Sequence, residues 1–213
     1  MHFFCGQSTA PNPLLLFTSL VPYSFAAIID TTVTNTLDKF RKEYLEANTW
    51  EQRKDGVPLE LLDNLSNEEL KIAEVELIKV ASLRDDWPIV GLGHIKSKDS
   101  LSTLHQLLEK SKGAMKVKIA HSIFQISQDE NMNEIVLETM SNITNEFELI
   151  DVLYYLPNFK DKRITELHHT YRSHKDYLVA YNATRYLGLS TEEVVEKFKN
   201  KEKPKGLWGR LFG

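Results

Sequence analysis

A chain of 213 residues with 42% hydrophobic and 26% charged residues has the composition of a soluble globular protein, not of a disordered or multi-spanning membrane chain. Nine Gly and seven Pro exclude collagen-like and Pro-rich architectures, and a single cysteine, Cys5, excludes an intrachain disulfide or a zinc site built from several thiolates. The net charge of −4 hides two unlike parts: residues 197–213 carry six cations against Glu202, a local +5, which leaves −9 for the rest.

Residues 1–34 read as an apolar leader, with no Lys or Arg, one acid (Asp30) and an apolar run from Leu14 to Ile29. A cationic start is missing and Pro22 interrupts the run, so three readings stay open: a weak targeting segment, an irregular packed leader, or a start codon assigned too early. Export or membrane association is the alternative to a cytoplasmic setting.

From residue 35 the pattern is helical. Leu37, Phe40, Tyr44 and Leu45 fall at three- and four-residue steps, which predicts a helix over 35–48, broken at Gly56, Val57 and Pro58. Ser66 and Glu69 have capping-box spacing, and the apolar face from Leu70 to Ala81 predicts a helix over 67–83. No stretch alternates like a strand, so the expected class is all-α.

Between Trp87 and Leu189 the chain repeats itself. Ile95, Ile126, Leu156 and Leu187 each close a helical pattern and precede a turn, at intervals of 31, 30 and 31 residues. Four residues before these anchors stand Gly91, Ser122, Val152 and Ala183, mostly small, as close helix approach requires. Other shared offsets are Leu92, Ile123, Leu153 and Thr184, three back, and Ile89, Ala120, Ile150 and Tyr181, six back.

A second helix follows each turn, marked by Leu101, Leu104 and Leu108; by Met132, Ile135, Val136, Met140 and Ile143; by Ile164, Leu167 and Tyr171; and by Val194, Val195 and Phe198. Ser190 and Glu193 have the spacing of a further capping box. Such hairpins must stack to bury their apolar faces, which predicts an α-solenoid over 35–200, a right-handed superhelix with the second helices inside. A helical bundle with chance spacing is the alternative.

These positions resemble short HEAT-like repeats of the phycobilisome-lyase type. The matching residues are Gly91, Leu92, Ile95 and Asp99; Ser122, Ile123, Ile126 and Asp129; and Val152, Leu153, Leu156 and Asp161. The fourth copy, at Ala183, Tyr186 and Leu187, lacks the Asp, and the Arg- and Ala-rich first helix of such repeats is poorly kept, so the copies are degenerate. The resemblance implies a HEAT/armadillo-like fold and says less about function.

Few motifs point to chemistry. Glu166 and His169 make one Glu-x-x-His step, but a di-iron bundle needs a second on a facing helix, and His168 falls on an apolar stripe, where a buried imidazole with one hydrogen bond is expected. The deoxyhypusine hydroxylases, a HEAT-repeat enzyme family, use His-Glu dipeptides, and this chain has none. The HEAT-like DNA glycosylases need a basic concave face, which a −9 body does not supply. No phosphate loop, nucleophile elbow or His-Glu-x-x-His helix occurs, and Gly91 and Gly93 are read as helix-packing positions.

No catalytic residue, cofactor or metal is therefore assigned. The expected function is a non-catalytic, protein-binding scaffold or adaptor for a basic partner, one concrete form being an immunity protein that neutralises a basic nuclease toxin. Helical phase offers Glu109, Lys110, Glu134, Glu138, Arg163, Glu166, His169 and Arg172 on the second helices as partner-binding candidates. The alternative is an enzyme or enzyme subunit, lyase- or glycosylase-like, with a deep pocket containing Trp87 or a His cluster.

Nucleic acid is disfavoured by charge. A membrane surface or a partner's groove could meet the basic, aromatic tail over 201–213, through Leu207, Trp208, Arg210, Leu211 and Phe212. The bland alternative folds that tail back as a cap on the repeats.

Overall fold

The computed structural model describes residues 36–202. Among them the fold is all-helical and no named strand occurs; an isolated bridge joins Ser82 and Asp85. The leader over 1–34 and the tail candidates Leu207 to Phe212 lie outside the described residues. No described helix is long and apolar enough to cross a membrane.

Helix α1 covers 36–45 and is π-helical over Arg41–Leu45. That wider turn carries two anchors: Arg41 forks onto Glu76, at 2.6 and 3.0 Å, and the buried Tyr44 donates its hydroxyl to the Trp87 carbonyl at 2.7 Å. The expected end near residue 48 comes earlier, because Thr49 and Gln52 form a capping box that starts a new short helix, α2 (Trp50–Arg53). Helix α3 (Glu60–Asp63) follows the positive-φ Gly56.

The capping box of Ser66 and Glu69 opens α4 (Asn67–Val80) as the spacing predicted, and Glu69 also accepts the Thr36 hydroxyl, at 2.5 Å, which ties α1 to α4. Helix α4 stops short of residue 83, where the chain turns through the Ser82 bridge toward the next helix.

The repeat region supplies α5 (Trp87–His94), α6 (Leu101–Lys110), α7 (Gly113–Ser127), α8 (Asn131–Asn142), α9 (Glu146–Leu153), a 3-10 turn at Leu156–Asn158, α10 (Lys162–Tyr171), α11 (Tyr177–Tyr186) and α12 (Glu192–Glu202). The first helix of each hairpin packs on the next: α5 on α7, α7 on α9, α9 on α11. The second helices lie against them, α6 and α8 on α7, α10 and α12 on α11, and α8 meets α10.

The positions four before each anchor are all buried. A Cβ on Gly93 would stand 2.9 Å from the Ser122 Cα, and one on Gly91 would strike the Tyr44 hydroxyl, so both glycines are packing positions. Helices α5 and α11 end alike: the Ser97 amide returns to the Leu92 carbonyl at 3.0 Å and the Leu189 amide to that of Thr184 at 3.2 Å, with Lys96 and Gly188 at positive φ. The capping box expected at Ser190 differs, since its hydroxyl accepts the amide of Glu192 instead of Glu193.

Candidate functional site

The four positions just before the anchors, His94, Gln125, Tyr155 and Tyr186, all line one cleft of about 770 Å³. One turn further back, Val90, His121 and Asp151 line it as well, followed by Trp87 and Lys118. These offsets recur at three- and four-residue steps, so the cleft follows one face of α5, α7 and α9 and ends at Tyr186 of α11, with Gly93 and Ile150 bordering it too. The loop over 53–59 closes one end.

A chain of alternating charges crosses the floor. Arg53 binds Asp85 through both terminal nitrogens, at 2.5 and 3.1 Å, and reaches Asp86 at 3.5 Å. Lys118 of α7 donates to Asp86 at 2.6 Å and pairs with Asp151 of α9 at 2.5 Å. With its side chain only 7% exposed, Lys118 thus joins three consecutive first helices.

Burial would lower its pKa, but the Asp86 charge and the bonds from both aspartates raise it above the ordinary lysine value, so Lys118 stays an ammonium. Burial likewise pushes up the Asp85 carboxyl, yet Arg53 and the Trp87 amide bring it below the usual carboxylate range. Arg53 also lies 4.1 Å from the Trp87 ring centroid, and Tyr44 meets that ring edge-on at 5.6 Å. Trp87 is consequently only 4% exposed.

The aromatic wall belongs to α9 and α11. Tyr154 is 59% exposed and meets Tyr155 and Tyr186 edge-on, at 5.4 and 5.6 Å. Tyr155 is buried, and its hydroxyl makes no hydrogen bond among the described residues; burial, with Asp86 and Asp151 nearby, raises its pKa. His121 packs 4.9 Å from the Tyr155 ring and 3.1 Å from the Gln125 amide, and burial pushes its pKa down to about 4, leaving a neutral imidazole.

None of the eight second-helix candidates lines this cleft. Glu109 and Lys110 are exposed at the end of α6. Glu134 of α8 pairs with Arg163 of α10 at 2.7 Å, and Glu166 with Lys162 at 3.6 Å. Glu138 borders a smaller hollow of about 380 Å³ beside Lys112 and Lys116, and His169 is exposed. Arg172 is half-buried instead of exposed, and its Nε has no partner among the described residues.

His168 is buried as expected, and its Nε2 has no hydrogen-bond partner among the described residues. No group of three His, Cys, Asp or Glu side chains there is set to hold a metal ion.

The sequence reading followed the apolar offsets and passed over the polar ones. The positions one before and five before each anchor carry the signal, since they share a phase with the repeat, and His121 and Tyr155 among them line the cleft from a buried position.

Comparison with protein-family models, with curated proteins and with solved structures finds no match.

A lysine nucleophile needs a neutral amine, and two carboxylates keep Lys118 charged. A phosphate chain would find both cations, Arg53 and Lys118, already paired, and would meet Asp55, Asp86 and Asp151.

Proposed function

We propose that this chain is a non-catalytic, protein-binding scaffold or adaptor of HEAT-like, α-solenoid build, and that a partner segment lies in the cleft across its first helices. The observation that carries this reading is the row of His94, Gln125, Tyr155 and Tyr186, one from the C-terminal end of each first helix or the turn that follows it, along a single open cleft. Successive packing of α5, α7, α9 and α11 at a 31-residue period supports the solenoid. The −9 body favours a basic partner, and an immunity-type inhibitor of a basic nuclease is one form this takes.

This reading moves the partner surface from the second helices to the first. The enzyme alternative expects a pocket containing Trp87 or a His cluster; Trp87 borders the cleft with its ring covered by Arg53, and His94 and His121 line it as well. The membrane alternative rests on the tail, outside the described residues.

A photo-crosslinking side chain installed at Tyr154, or separately at Glu134, tests the choice of face. In native lysate the Tyr154 position should capture discrete protein partners, with a yield that falls as salt rises. Capture from Glu134 alone would return the partner surface to the second helices.

A further inference from the structure

We infer that the cleft receives an arginine side chain carried on an extended segment of the protein partner. The inference rests on the cleft reading above and adds the chemistry of its occupant. Three observations carry it.

The first is charge. Asp55, Asp86 and Asp151 outnumber Arg53 and Lys118 along the cleft, and Asp85 behind them already engages Arg53, so its walls are short of a cation. Asp151 is half-exposed and gives Oδ2 to Lys118, while its Oδ1 has no partner among the described residues. A guanidinium can reach that oxygen from the open side.

The second is the neighbouring ring. Tyr154 stands three residues from Asp151 on the same helix, and hence on the same face. Edge-on contacts with Tyr155 and Tyr186 hold its ring while most of it stays exposed. A planar guanidinium stacks on such a ring and forks to a carboxylate in one pose, which the point charge of a lysine ammonium does not.

The third is the Tyr155 hydroxyl. It belongs to a side chain that is 8% exposed, lines the cleft, and lacks a partner among the described residues. The hydroxyl opens into the cleft, where a backbone carbonyl of an extended segment can accept its hydrogen bond. A free guanidinium has no acceptor to offer, so the third observation points to arginine within a peptide.

The test is an NMR titration of the full ¹⁵N-labelled chain with acetyl-Gly-Gly-Arg-Gly-Gly-amide and with analogues carrying Gln or Glu at the centre. The arginine peptide should shift amide signals of α9 and α5, and Asp151→Asn and Tyr154→Ala should each weaken it about tenfold. Tyr155→Phe should weaken it about threefold without lowering the melting temperature, an effect a merely structural tyrosine would not give. Glu134→Gln should leave the affinity unchanged.

Tyr154 is exposed, so Tyr154→Ala keeps the test valid if Asp151→Asn disturbs the fold. Equal cleft shifts from the Gln peptide would overturn the arginine inference and leave the cleft reading standing. Cleft signals that move with no peptide, or arginine binding undiminished in both Tyr154→Ala and Tyr155→Phe, would overturn it too, while crosslinking from Tyr154 judges the cleft reading separately.

Discussion

The two faces of the repeat region carry the same kinds of side chain in opposite physical settings. On the first helices, Lys118 has a 7% exposed side chain and two carboxylates within 2.6 Å, in a chain that spans α5, α7 and α9. On the second helices, Arg163 meets Glu134 and Asp161 at 2.7 Å, but with a side chain 54% exposed. Water surrounds the Arg163 guanidinium, whereas it reaches the Lys118 ammonium only past the outer edge of Asp151. Similar bonds should therefore differ widely in what their loss does.

Lys118→Ala is the strongest way to break that contrast. It leaves Asp86 and Asp151 facing each other across a partly buried gap, and the expected cost is about 3 kcal/mol in urea unfolding. Asp151→Asn should cost less, since Asp86 still holds the ammonium. A loss for Lys118→Ala no larger than that of an exposed pair would mean the charge chain is solvated in solution.

The packing beneath the cleft comes next. Gly93→Ala puts a methyl 2.9 Å from the Ser122 Cα, a backbone atom that cannot swing away. Helices α5 and α7 must then separate, at about 2 kcal/mol. Gly91→Ala meets a side-chain hydroxyl instead and should be milder, although Tyr44 would lose its bond to Trp87. Thermal melts of the two variants rank them, and the reverse order would contradict the close α5–α7 contact.

Much of this architecture was legible in the chain. The Ser66 and Glu69 box, the aliphatic anchors, the small residues four before them and Gly188 after α11 each declare a local geometry that few other residues serve. Lys96 does the work of a glycine after α5 without announcing it, because the Ser97 return bond and its neighbours impose the positive φ. The cleft was hidden for a related reason. Polar residues on a helix read as a solvated face, and Asp86, Lys118 and Asp151 occupy different offsets in their repeats, so the self-similarity that exposed the core could not align them. Arg53 comes from outside the repeats altogether.

Each face also holds one buried histidine, which allows the comparison to be drawn through pH. Burial lowers His121 on α7 to about 4, and burial with the adjacent His169 lowers His168 on α10 to about 4. Both folded-state values lie below the unfolded value of about 6.5, so the neutral forms favour folding. Their contribution is complete above pH 6.5 and is lost as pH falls toward 4, by about 1.4 kcal/mol per pH unit for each histidine. His168→Leu should remove one share of that slope while costing little at pH 7, because Nε2 has no bond to lose among the described residues. An unchanged slope would mean His168 is hydrated in the folded protein.

The smallest effect is expected where the bonds look most numerous. Arg163 binds Glu134 on the neighbouring helix and Asp161 at the start of its own, yet the guanidinium itself and Glu134 lie at the surface. Asp161 keeps its role in Arg163→Ala, because it caps α10 by accepting a backbone amide, at 2.7 Å, that the substitution leaves in place. Glu134 regains water. Melting temperatures of Arg163→Ala and the unaltered chain should therefore agree at low and at high salt. A drop as large as that of Gly93→Ala would show that α8 and α10 are clamped through this arginine, and the second-helix face would then be as tightly built as the floor of the cleft.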